Sequence, residues 1–398
     1  MFMEYHNNEL LTRGVSAIYP SKEFLEAKIA RGEKVVLYLG IDPTGPTLHL
    51  GHAIPLKKLS EFQKAGHQII LLMGDFTAMI GDPDKTSTRK QLTHKEVMSN
   101  LKLYKKQASS LVSFSGRNSA QFKFNSKWLS KMSFEDVINL SSQMTVQQML
   151  ERDMFDKRIK EGRPVYLHEF LYPLMQGYDS VAMDVDGEIG GNDQTFNMLC
   201  GRDLMKSLKG KEKFVITMKL LEDNSGKKMG KTEGNMVALS DSSDEMYGKI
   251  MSWTDGLIIP GFELCTNTKT EEIKEIELGL RSNVINPRDI KMRLAKEIVS
   301  IYHGEMKAKQ AEENWVQTFS ENKIPTNIEN ISAKQDDLLV DILLSNNIIS
   351  SKAEFRRLIE ESAVVNLDTN EKIKDPKEKA LTGVYRIGKK RFCKISIS

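Results

Sequence analysis

Cysteine is scarce in this chain. Only Cys200, Cys265 and Cys393 occur among 398 residues, far apart and with no C-x-x-C pair. That spacing argues against a disulfide framework or a thiolate zinc site and suits a reducing compartment, so no zinc is expected. Long apolar runs are missing too: the longest, near Ile69 to Met73, is far too short to span a membrane. The opening MFMEYHNNELL lacks the basic segment and apolar core of a secretory signal, so a cytoplasmic protein without membrane association is expected. A strong overall charge is also absent. The net value of +3 gives no global signal for nucleic acid. Its distribution says more: from Ser351 onward there are 12 Lys+Arg against 7 Asp+Glu, so the positive excess lies in the C-terminal region. Internal repeats and low-complexity segments are not found.

What remains is an ordinary globular composition, 40% hydrophobic and 28% charged, long enough for two or three domains. Val35 to Ile41 is a short apolar run stopped by Asp42-Pro43, and reads as a buried strand. Gly51 to Ala65 carries Ile54, Leu59 and Phe62 at helical spacing and stops at Gly66. Ile69 to Met73 reads as a second buried strand. Strand, helix, strand in this order is a βαβ unit, and predicts a parallel sheet wrapped by helices. Residues 90–165 read as mostly helical. Ile189 to Gly191 and Phe214 to Met218 mark a second α/β half, and beyond about Ser240 the strands stop. Asn286-Pro287 opens a helix with a stripe at Ile290, Leu294, Ile298 and Ile301, ended by Gly304. Residues 320–336 are polar and read as a linker. A small unit of two helices, a strand and a hairpin across Gly388 closes the chain.

Two stretches carry chemistry. His49-Leu50-Gly51-His52 follows the first strand and opens the helix, where free N–H groups and the positive dipole end attract phosphate. Gly51 permits close approach, and the two histidines can donate hydrogen bonds to a phosphate gaining charge. H-x-G-H is too short to establish this alone. The second stretch, Gly226 to Thr232 (GKKMGKT), ends like a phosphate-binding loop. Gly226 stands one residue too close to Gly230 for G-x-x-x-x-G-K-[ST], and neither a buried strand before nor a clear helix after supports that reading. A Lys-rich loop reaching a polyphosphate and a solvated Lys/Gly turn both remain.

Taken in order, the pair is more specific. His49-Leu50-Gly51-His52 resembles the HIGH motif, and Lys228-Met229-Gly230-Lys231-Thr232 the KMSKS motif, of class I aminoacyl-tRNA synthetases. YLGIDPTGPTLHLGH (Tyr38 to His52), MIGDP (Met79 to Pro83), YPLMQGYDS (Tyr172 to Ser180) and GGNDQ (Gly190 to Gln194) resemble the bacterial type of tyrosyl-tRNA synthetase, over most of the chain from about residue 30.

The resemblance implies an α/β fold. A Rossmann-like parallel-sheet catalytic domain would cover residues 1–240, with a helical insertion and dimer region at about 90–165. An α-helical domain (241–322), a linker (323–335) and a small α+β RNA-binding domain of ribosomal-protein S-four type (336–398) would follow. It implies a two-step ligase that activates L-tyrosine with ATP, accompanied by Mg2+, and charges tRNA(Tyr) as a homodimer. Position by position, it implies Tyr38 and Asp179 on the substrate phenol, and Asp82, Tyr172 and Gln176 on its ammonium. Thr77 and Gln194 would line that pocket. Gly40, Asp42, Thr44, Gly191 and Asp193, with Gly51, would form the ATP site. His49 and His52 would serve the α-phosphate, and Lys228, Lys231 and Thr232 the departing pyrophosphate. Lys85 and Arg89 match a pyrophosphate-side basic loop. Lys352, Arg356, Arg357, Lys389, Lys390 and Arg391 are the RNA-contact candidates. The alternatives are a tryptophanyl-tRNA synthetase, against which the Tyr38 and Asp179 pair argues, and a catalytically idle RNA-binding paralogue.

Overall fold

The computed structural model describes residues 9–82, 92–222, 236–319, 328–369, 371–388 and 391–397. The chain forms two compact units, one running to Ala308 and one from Lys309.

The first unit is built on a six-stranded sheet in the order β1-β6-β5-β2-β3-β4. Its strands are β1 (Val15–Tyr19), β2 (Val36–Ile41), β3 (Gln68–Met73), β4 (Gln121–Phe124), β5 (Gly187–Gly191) and β6 (Phe214–Met218). The β2/β3, β2/β5, β3/β4 and β5/β6 pairs are parallel. Only β1 runs antiparallel, against β6. The buried run of β3 is apolar throughout and that of β6 is apolar but for Thr217, whose hydroxyl is bonded to the Ala17 backbone, as suits strands covered on both faces. The expected mostly parallel α/β architecture is therefore present. Strand β4 breaks the helical reading of residues 90–165: QFKF is short and half-buried at the sheet edge, too brief to set a period against its helical surroundings.

From β2 the chain winds outward through β3 and β4; from β5 it winds the other way through β6. The reversal lies between β2 and β5, which are adjacent. Neighbouring parallel strands whose connections leave in opposite directions open a crevice at their carboxyl ends, the usual ligand site of such sheets. Helix Leu50–Lys64 follows β2 and buries Ala53, Ile54, Leu56, Leu59 and Phe62. Each large apolar side chain so buried contributes about 1.5–3 kcal/mol. Helix Leu167–Met183 leads into β5, and helix Thr195–Lys209 links β5 to β6. Those two helices approach closely at Gly177 and Gly201: a Cβ on Gly177 would lie 3.2 Å from the Gly201 Cα.

Helices between Ser243 and His303 belong to the same compact unit. Asn286 caps helix Pro287–His303 by accepting the Arg288 N–H, and the buried face is Leu294, Ala295, Ile298 and Val299. Arg13, just before β1, donates to the carbonyls of Phe262, Glu263, Thr266 and Thr268, tying these helices to the sheet edge.

The second unit contains a five-stranded sheet, β7-β11-β10-β8-β9. The strands are β7 (Glu329–Ala333), β8 (Val364–Asn366), β9 (Glu371–Lys372), β10 (Gly383–Ile387) and β11 (Arg391–Ile397). With helices Leu339–Ser345 and Lys352–Glu360 they enclose a core that includes Leu339, Leu343, Phe355, Tyr385, Ile387 and Ile395. Strand β7 lies inside the stretch read as linker. Its parallel pairing with β11 and its buried Ile331 and Ala333 show why: the strand is made by a partner more than 60 residues away.

Candidate active site

A cavity of about 330 Å³ opens at the carboxyl ends of β2 and β5. It gathers every described site residue expected from the sequence of the first unit. Tyr38, Thr77, Asp82, Tyr172, Gln176, Asp179 and Gln194 line it, as do Gly40, Asp42, Thr44, His49, Gly51, His52, Gly191 and Asp193. Lys85, Arg89, Lys228, Lys231, Thr232, Lys389 and Lys390 lie outside the described residues.

One end of the cavity is a packed polar network. Asp179 is buried on helix Leu167–Met183, and its carboxylate accepts from Trp128 Nε1 at 2.8 Å and Asn125 Nδ2 at 3.2 Å. Asn125 Nδ2 also reaches Thr77 Oγ1 at 3.0 Å. Thr77 donates to Asp42 Oδ1 at 2.7 Å, and the Tyr172 hydroxyl donates to Asp42 Oδ2 at 2.8 Å. Asp42 thus stands at the end of β2 as a two-point acceptor between the two halves of the sheet. Burial, opposed by the bonds from Trp128 and Asn125, pushes the Asp179 carboxyl well above the usual carboxylate range. Burial, with the charges of Glu188 and Asp179 behind it, likewise pushes the Tyr38 hydroxyl up and keeps it protonated. That hydroxyl lies 3.0 Å from Ser180 Oγ.

Asp82 accepts from Arg152 at 2.7 Å and from Gln194 Nε2 at 2.9 Å. Gln176 donates to Glu188 at 3.1 Å and accepts from Asn197 at 3.0 Å. The sequence reading missed Asn125, Trp128, Arg152, Ser180, Glu188 and Asn197, along with Gly74, which faces the cavity between Asp42 and Thr77. A Cβ there would sit 1.9 Å from Asp42 Oδ1 and 2.4 Å from Thr77 Oγ1, so only glycine admits that bond.

The other end is built from backbone. The loop Pro43 to Leu48 is pinned from outside: Asn100 donates to the Pro43 carbonyl, Tyr104 to Gly45, and Gln107 accepts from Leu48 N. His49 then caps helix Leu50–Lys64, its Nδ1 accepting from Gly51 N at 3.1 Å. His52 Nδ1 accepts from His49 N at 3.2 Å, completing a capping box with imidazoles in place of the usual hydroxyl and carboxylate. Both Nδ1 atoms accept, so in the neutral rings each proton sits on Nε2. Burial, reinforced by His49, pushes the His52 imidazole down to about 3, so it works neutral. The segment after residue 235 is stitched to this turn: Leu50 N donates to Val237 O, and Leu239 N to Leu48 O.

In the second unit, Lys352 pairs with Asp341, and Arg356 and Arg357 are exposed on helix Lys352–Glu360. Arg391, half-buried, donates to the Ile348 carbonyl and pairs with Glu354 at 2.9 Å.

Residues 30–320 match the family described as tRNA synthetases class I (W and Y). The chain belongs to that family. It is 44% identical over 391 residues to the tyrosine–tRNA ligase of Thermotoga maritima, covering 98% of this chain and 96% of that one. It is 42% identical over 404 residues to the tyrosine–tRNA ligase of Carboxydothermus hydrogenoformans, covering 97% of each. Among solved structures it resembles a C-terminally truncated mitochondrial tyrosyl-tRNA synthetase of Coccidioides posadasii, with TM-score 0.63 and 26% identity over 77% of this chain and 91% of that one. The chain is accordingly a class I aminoacyl-tRNA synthetase, and the cavity at the strand reversal is its candidate active site.

Proposed function

We propose that this enzyme is a tyrosine–tRNA ligase. It joins L-tyrosine to ATP as tyrosyl-adenylate, releasing pyrophosphate, and then transfers the tyrosyl group to the 3'-terminal adenosine of tRNA(Tyr). The observation that carries the reading is the polar floor of the cavity, where the Tyr38 hydroxyl and the Asp179 carboxylate are both buried. A phenol hydroxyl satisfies such a floor; a substrate without one leaves both groups unpaired, a penalty large enough to reject phenylalanine without editing. Discrimination of this kind reaches about 10⁵ in tyrosyl-tRNA synthetases.

At the other end, the substrate carboxylate attacks the α-phosphate in line. The Nε2–H groups of His49 and His52, at the helix N-terminus, stabilise the oxygens as charge builds. Asp82, Tyr172 and Gln176 receive the ammonium, with Thr77 and Gln194 beside them. Gly40, Asp42, Thr44, Gly191 and Asp193 receive the nucleotide. Lys228, Lys231 and Thr232 are assigned to the departing pyrophosphate, with Lys85 and Arg89 on the same side. Magnesium arrives with ATP, carried by its phosphates.

Homodimerisation is supported by the exposed apolar side chains Phe134, Ile138, Val146 and Leu167. The exposed Arg356 and Arg357 support an RNA-facing role for the second unit. Among the described residues no helix is long and apolar enough to cross a membrane. The test is amino-acid-dependent ATP–pyrophosphate exchange. Exchange driven by tyrosine is expected. Exchange driven by tryptophan instead, or none with RNA binding retained, overturns the reading.

A further inference from the structure

Directly behind the cavity wall lies a cation that the reaction does not call for. Lys213, at the start of β6, is 0% exposed. Its ammonium donates to the Glu188 carboxylate, to Ser180 Oγ at 2.8 Å and to the Met198 carbonyl at 3.2 Å, so all three of its protons are placed. Room for it is built in: a Cβ on Gly201 would lie 2.6 Å from Nζ. A buried ion pair of this kind is no better for stability than a well-packed apolar pair of the same size, so stability alone does not account for it.

Its two polar neighbours lead to opposite ends of the amino-acid site. Ser180 touches the Tyr38 hydroxyl, and Glu188 accepts from Gln176. An ammonium can only donate. Ser180 Oγ therefore turns a lone pair to Lys213, and the field of the cation turns the serine proton away, towards the Tyr38 oxygen. The Tyr38 proton then has two acceptors within reach, the Glu188 carboxylate, already engaged by Lys213 and Gln176, and a phenol oxygen in the cavity, which is the less occupied of the two. Glu188 meanwhile holds the Gln176 amide with its nitrogen inward on the wall, where Asn197 secures the oxygen.

We propose that Lys213 is a positioning residue for amino-acid recognition: through Ser180 it fixes the Tyr38 hydroxyl as a donor to the substrate phenol oxygen, and through Glu188 it fixes Gln176 on the ammonium side. The inference rests on the tyrosine-ligase reading. It makes the floor asymmetric, with Tyr38 donating to the phenol oxygen and Asp179 accepting its proton, and a hydroxyl fits both at once.

Two variants test it in the full-length enzyme. Ser180→Ala cuts the link to Tyr38 and leaves Lys213 with Glu188 and the Met198 carbonyl. Lys213→Met combined with Glu188→Gln removes both charges together. In ATP–pyrophosphate exchange each is expected to raise KM for tyrosine roughly tenfold, the scale of one hydrogen bond, with KM for ATP unchanged. The tyrosine-over-phenylalanine ratio of kcat/KM should fall by a similar factor. A merely structural role would lower the folded fraction without moving that ratio. Wild-type values of tyrosine KM and of the ratio in folded Ser180→Ala protein overturn the proposal, whatever the stability of the double variant. Absence of tyrosine-dependent exchange in the wild-type protein overturns the parent reading instead.

Discussion

The two ends of the cavity are made by different means. The amino-acid end is a mesh of side chains, each holding the next: Trp128 and Asn125 on Asp179, Thr77 and Tyr172 on Asp42, Gln194 and Arg152 on Asp82. The phosphate end is a turn of main chain with two imidazoles folded back on it. A mesh of that kind fixes the direction of every donor and acceptor, which is what discrimination between similar amino acids requires. A helix terminus offers N–H groups to any tetrahedral anion and reads little beyond charge, which is sufficient for a phosphate whose identity the nucleotide already guarantees.

The sharpest way to break the contrast is His52→Ala. Loss of one preorganised donor should slow adenylate formation about 10²–10³-fold in a single-turnover measurement while tyrosine affinity stays put. A rate equal to wild type would remove His52 from the phosphate end. Gly74→Ala attacks the mesh instead, because the new methyl would occupy the space of the Asp42 and Thr77 oxygens. Overpacking of this sort costs about 1–3 kcal/mol, read as a lowered urea midpoint at unchanged slope, and should weaken tyrosine binding. A wild-type midpoint would mean the mesh yields easily. The smallest expected effect is none at all. The folded-state value of His52 is depressed to about 3, so the ring stays neutral as pH falls through the ordinary histidine range near 6.5. Comparing the pH profile of adenylate formation with that of His52→Gln should show no acid limb near pH 6.5 belonging to His52. An acid limb that the substitution removes would show that the ring takes up a proton there.

What could be read in advance divides differently, between residues inside a motif, at either end of the cavity, and residues outside one. The turn residues at the strand ends, His49 to His52 and Gly190 to Gln194, sit in contiguous stretches whose spacing is itself the signal. Lys213 lies in KGKEKF, a charge run that reads as solvated surface, and only the closure of β6 against β5 buries it. Asn125 and Trp128 follow β4, a strand too short to announce itself, so their meeting with Asp179 depends on an element hidden in its helical surroundings. Strand β7 had a legible trace: Ile331 and Ala333 alternate with polar neighbours, but the run is brief and its partner is distant. Residues carried in a motif were visible, even where the assembled sheet brings distant motifs together as it does Tyr38 and Asp179; residues outside any motif, such as Lys213, Asn125 and Trp128, were not.

The stitching of Val237 and Leu239 to the HLGH turn has a consequence for the proposed pyrophosphate lysines. Lys231 stands only six residues before Val237 in the sequence, and Val237 is an anchor that is itself part of the phosphate end. Tethered groups meet their target at an effective concentration set by the tether, on the order of millimolar for short ones. Each lysine contact can then be individually weak and still be filled when ATP is present. The same weakness lets the product leave once the bond to the α-phosphate is broken.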